Sequence, residues 1–229
     1  MSKIRQLYLY CREHGIPVDA TTAAIAIRAA GEYSSIRATY SENIAAAITN
    51  YLGGGNLVGS RGSFKRATAT AFVDGFETGY VETSGGGYDP EKEDSAWLAS
   101  RLDQELAYVD ALFVQMKEMR KDKENPLTDA DISSYASAKA LMYCRTLDAV
   151  YSQGKLRGSK NVMLTFDGED GQESCPECQQ YKGQRHRAKW WVSRDLVPGP
   201  GNENYSCNGY NCKHYLKDDK GNIWAGSLE

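Results

Sequence analysis

Apolar side chains recur every three or four positions through the first 160 residues, the spacing of helices with one buried face. Residues 3–14 predict a short amphipathic helix stopped by Gly15 and Pro17. Asp19 or Thr21 can cap a second helix by accepting from its free backbone N–H groups. That helix runs through Thr22–Ala30, weakens at Gly31 and resumes over Ser35–Leu52, where Gly53-Gly54-Gly55-Asn56 breaks it. A third segment, Ser63–Glu82, sets Phe64, Ala67, Ala71, Phe72 and Phe76 on one side. Gly75 and Gly79 weaken it without forbidding it. After the Ser84–Gly87 joint comes the clearest pattern, Glu91–Lys121, with Trp97, Leu98, Leu102, Leu106, Val109, Leu112, Phe113, Met116 and Met119 in register. Acidic residues gather at its start and Lys117, Arg120 and Lys121 at its end, matching the helix dipole. A helix of about 30 residues is about 45 Å long, more than the core of so small a domain requires, so it is expected either to be a bundle spine or to serve a partner along part of its length. Pro126 closes it. Thr128-x-x-Asp131, a capping-box variant, opens a last helix expected to end at Gln153-Gly154.

The pattern then changes. Lys155–Lys160 reads as a polar linker, and Asn161–Phe166 alternates like a strand before a stretch rich in turn residues, aromatics and cysteine. The expected fold is mainly α: a helical region over 1–160 with glycine joints at 53–55 and 84–87, then a small β or irregular module over 161–229 stapled by metal. Composition removes several classes. The 229 residues are 41% hydrophobic and 25% charged, ordinary for a folded chain. No apolar run approaches the length of a membrane span, and the first residues lack the apolar core of a secretory signal. A net charge of −3 offers nucleic acid no global attraction.

The six cysteines are unevenly placed. Cys11 and Cys144 stand alone in helical sequence and read as small buried apolar side chains. Cys175, Cys178, Cys207 and Cys212 cluster in the last third, with His214 beside them. A reducing compartment favours metal over disulfides for such a group. Cys175-Pro176-Glu177-Cys178 is a turn that aims two sulfurs at one point, and Zn²⁺ takes four N or S ligands tetrahedrally. Five candidates compete for four places. Cys207 ranks ahead of His214 for the fourth, because Cys212-x-His214 can chelate only from an extended backbone. A redox pair would want a strand–helix context and no further thiols. A zinc deaminase would need an upstream His-x-Glu or Cys-x-Glu in position to complete its site. Disulfides are the remaining competitor.

Lys182, Arg185, Arg187, Lys189 and Arg194 crowd around His186, Trp190 and Trp191, a patch able to touch phosphates and stack on bases. The plainer expectation is that the tryptophans form a small core while the cations and His186 stay solvated. A zinc-stapled nucleic-acid-binding or regulatory module using 182–194 is therefore the alternative function, with Lys182, Arg185, Arg187, Lys189 and Trp190 as its contacts. The chain has no nucleophile elbow and no phosphate-binding loop, so neither an enzyme nor a small-molecule substrate is expected. The acidic run Asp167, Glu169, Asp170 and Glu173 lacks EF-hand spacing and reads as a solvated turn.

A strand, Cys175-x-x-Cys178, Tyr181-Lys182-Gly183 and the closing Gly209-Tyr210-Asn211-Cys212-Lys213-His214-Tyr215 together resemble the end of phage minor head proteins of the Mu F-like head morphogenesis family. The likeness covers about residues 135–216. Lys213 stands where Arg is usual, and Cys207 lies five residues before Cys212 where many members have His-Pro-Asn-Cys. The resemblance implies a structural protein of the virion, assembled in the host cytoplasm. It would contact portal or capsid proteins in several copies and support head assembly or DNA packaging.

Overall fold

The computed structural model describes residues 33–84, 88–159, 161–169, 174–210 and 212–226. The helices expected over 3–14 and 22–30, with Cys11 and His14, lie outside the described residues, as does the glycine run 85–87. Four long helices come first: α1 (Tyr33–Leu52), α2 (Leu57–Ser84), α3 (Lys92–Met119) and α4 (Asp129–Ser159). A small region of β1 (Met163–Gly168), α5 (Pro176–Tyr181), β2 (Arg185–Arg187), α6 (Ala188–Ser193), β3 (His214–Lys217) and β4 (Ile223–Gly226) follows. The chain is mainly helical with a small cysteine-bearing strand region, as its periodicity predicts.

Two helix boundaries differ from the sequence reading. α2 begins six residues early, at Leu57, because Asn56 caps it: its side-chain oxygen accepts from the Gly59 N–H at 3.1 Å. α4 opens as expected, with the Thr128 N–H donating to Asp131 and the Asp131 N–H to the Thr128 hydroxyl. It does not stop at Gly154, however, and the expected linker from Lys155 is helix through Ser159. A Cβ on Gly154 would lie 2.2 Å from the Phe76 carbonyl oxygen, and one on Gly79 would lie 2.3 Å from that of Tyr151. These glycines let α2 and α4 touch backbone to backbone; they are contact residues rather than stops.

The described residues divide into two compact units, 33–74 with 95–144, and 75–94 with 145–226. The composition change near residue 160 falls inside the second. In the first unit the apolar faces of α1, α2, α3 and α4 meet around an aromatic line: Phe64 lies 4.9 Å from Tyr143, and Tyr51 lies 5.3 Å from Phe113. Leu102, Val109 and Met116 of the α3 stripe are fully buried, each worth roughly 1.5–3 kcal/mol of removal from water. Cys144 is buried there too, as a small apolar side chain. In the second unit, Arg157 donates to Asp94 at 2.8 Å, both groups being almost fully enclosed.

The strands form one antiparallel sheet ordered β2-β1-β3-β4, with β1 as its spine. Leu164 opposes His186, Phe166 opposes Leu216, and Gly168 opposes His214. Leu164, Phe166, Leu216 and Ala225 point into a core closed by Ala188, Trp191, Leu196, Val197 and Tyr205. This pairing brings the end of β1, from which the chain runs to Cys175, to the start of β3, which Cys212 precedes.

Candidate metal centre

The first pair of cysteines is set by a helix start. Cys175 is extended (φ −67°, ψ 153°) and precedes α5, Pro176 takes the first helical position, and Cys178 follows one turn on. The second group lies on the loop from α6 to β3. Cys212 lies two residues before His214, the first residue of β3.

All five predicted ligands come together. The Sγ atoms of Cys175, Cys178 and Cys207 lie within 4.8 Å of one another. Cys178, Cys212 and His214 form a second group of the same tightness, sharing Cys178. Cys178 Sγ is 3.5 Å from Cys212 Sγ, and Cys212 Sγ is 3.7 Å from His214 Nδ1. A tetrahedral zinc with Zn–S bonds of about 2.3 Å sets its sulfurs about 3.8 Å apart, so these spacings and this donor set fit the ion. The described cysteines are all free thiols, with no disulfide among them.

The electrostatics suit a cation. The Cys178–Cys212 hydrogen bond holds the Cys212 thiol down to about 5 against its burial, with the His214 backbone N–H helping. The same bond pushes the Cys178 thiol well up, since Cys178 keeps the shared proton, and burial adds to that. Burial raises Cys207 to about 11, opposed by the Gly209 N–H that donates to its sulfur at 3.4 Å. One sulfur is thus prepared as a thiolate among neighbours that a soft cation would deprotonate.

The cluster rests on an aromatic platform that spacing does not reveal. The Phe166 ring lies 5.5 Å from that of buried His214, nearly parallel, and 5.8 Å from Trp191. The Tyr205 ring stacks on Phe166 at 6.3 Å, and its hydroxyl donates to the Leu196 carbonyl. Also missed was Glu177, inside the Cys-x-x-Cys turn. Its carboxylate accepts from the Ser206 hydroxyl at 2.7 Å and the Ser206 N–H at 3.2 Å, which holds it down to about 2.

The basic patch is less available than its composition suggests. Trp191 is in the core, its indole N–H donating to the Leu164 carbonyl. Trp190 lies between the parallel His186 ring at 3.6 Å and the Arg194 guanidinium at 4.5 Å, so both faces that could stack on a base are covered. His186, expected in solvent, is half-buried for that reason. Arg185 is paired with Asp219, and Arg187 reaches the Asn161 carbonyl at 3.5 Å. Lys182 and Lys189 are exposed. Asp167 of the acidic run pairs with Lys217 across β1 and β3; residues 170–173 lie outside the described ones.

Among the described residues no helix is long and apolar enough to cross a membrane. No family model, curated protein or solved structure matches the chain.

Proposed function

We propose that the chain is a structural protein of a phage head, a minor head or head-morphogenesis component, whose C-terminal module is stapled by a structural zinc ion. The observation that carries this reading is the convergence of Cys175, Cys178, Cys207, Cys212 and His214 at one end of the sheet. It occurs in the same order of strand, Cys-x-x-Cys and Asn-Cys-Lys-His that underlies the resemblance to the Mu F-like family. Enough thiols to close a metal's shell leave no open place for substrate, which favours a structural ion over a catalytic one. The partners are portal or capsid proteins, met in several copies within the virion, and the exposed side of α3, which carries Tyr108 and Val114, is the surface offered to them.

Two measurements test the reading. Metal analysis of the purified chain, with a free-thiol count before and after denaturation, should return about one zinc per chain. Pull-down with portal and capsid proteins of the same phage should retain the chain. A monomer that binds neither would defeat the virion role, and zinc-free protein with two disulfides would defeat the staple. Salt-dependent DNA binding abolished by Arg185→Ala with Arg187→Ala would favour the nucleic-acid function instead.

A further inference from the structure

Resting on the zinc reading, the geometry points to Cys175, Cys178, Cys207 and Cys212 as the ligands, with Glu177 and Ser206 forming the latch that positions Cys207. His214 is left to donate a hydrogen bond to the Cys212 sulfur.

Cys207 lies on the long connection between α6 and β3, where turn hydrogen bonds rather than a strand ladder hold the backbone, the Gly201 N–H donating to the Asn208 carbonyl at 2.8 Å and the Tyr210 N–H to that of Cys207 at 3.4 Å. Its neighbour Ser206 adds a side-chain tie to the first pair of cysteines. The Ser206 hydroxyl is 2.7 and 2.9 Å from the two Glu177 carboxylate oxygens, and its N–H donates to one of them. Glu177 stands between Cys175 and Cys178. The latch therefore ties the residue beside the third sulfur to the residue between the first two, and brings Cys207 within 4.8 Å of both. Past Cys207 the backbone turns left-handed at Asn208 (φ 48°) and Gly209 (φ 70°), which directs the Gly209 N–H onto the Cys207 sulfur.

His214 is fixed by other means. It is paired across the sheet with Gly168, and its ring is packed on Phe166. Gly168 and Gly226 approach its backbone so closely that a Cβ on either would lie 2.5 Å or less from a carbonyl oxygen of Lys213 or His214. Sheet packing accounts for its place without a metal bond, and Nδ1 at 3.7 Å from Cys212 Sγ suits an N–H donor to sulfur.

The test uses the full chain with Co²⁺ as a spectroscopic probe and Zn²⁺ affinity by competition with a chelator. Cys207→Ser should lose about a quarter of the thiolate-to-cobalt charge-transfer intensity, one ligand of four, while His214→Asn keeps it all. Glu177→Ala and Ser206→Ala should retain the wild-type cobalt spectrum at saturation yet bind Zn²⁺ about 10–100-fold more weakly, as outer-shell changes do. The double variant should be no worse than either single one, and Glu177→Gln should recover part of the loss. Full intensity in Cys207→Ser, or loss of a nitrogen ligand in His214→Asn, overturns the ligand assignment. Wild-type Zn²⁺ affinity in both Glu177→Ala and Ser206→Ala overturns the latch. A wild-type chain that binds neither ion defeats the zinc reading itself, a different result from either of these.

Discussion

Glu105 sits one helical turn from Arg101 inside the first unit, its carboxylate 3.4 Å from the guanidinium and both side chains enclosed. Burial pushes its carboxyl up to about 7, and the attraction of Arg101 offsets only part of that. An acid with a raised folded pKa binds its proton more tightly when folded. The stability it contributes is fully present below its unfolded pKa and is lost as pH rises through about 7. Urea unfolding followed by circular dichroism should therefore show the wild-type chain weakening between pH 5 and pH 8, and Glu105→Gln flattening that slope. An unchanged slope in the variant would mean that Glu105 is solvated. Neither this pair nor Arg157 with Asp94 could be foreseen from the sequence. A charged residue within an apolar stripe looks the same on paper whether it faces water or a buried partner.

Among the elements, the helices were legible because their driving force is local. Apolar residues at helical spacing named the buried faces of α2 and α3, and Thr128 with Asp131 named the start of α4. Glycine was misread because its two roles, ending a helix and admitting a neighbour, are indistinguishable until the neighbour is known. Gly154 separates the two by experiment. In an exposed helix interior Gly→Ala gains about 1 kcal/mol. Here the added methyl would strike the Phe76 carbonyl, so Gly154→Ala should destabilise by about 1–3 kcal/mol instead, read as a lower denaturant midpoint. A rise in the midpoint would place Gly154 away from that contact. The cysteine cluster was legible for a third reason: thiols are distinctive metal ligands and their spacing limits what they can reach. Glu177 and Phe166, which pack and bond around the cluster, carry no spacing signal, because their role depends on contacts spanning tens of positions.

For the molecule as a whole, the proposed zinc would serve the two units unequally. The first is held by the packed faces of four helices, whereas the sheet and its loops gather around a cluster of thiols. Adding a strong chelator to the zinc-loaded chain should leave most of the far-ultraviolet helical signal while shifting the emission of Trp190, Trp191 and Trp224 and exposing 194–213 to protease. Collapse of the helical signal in step with metal loss would show that the units do not melt separately. The sheet order also sets a sequence in time. β1 meets β2 after a short excursion, but its other neighbour, β3, is made some fifty residues after β1 begins. At translation rates of about 5–20 residues per second, the first two thiols wait seconds for the remaining sulfurs to be synthesised. During that interval β1 has one open flank and half of the cysteine cluster, a vulnerable stage at which a nascent chain would be exposed to mispairing.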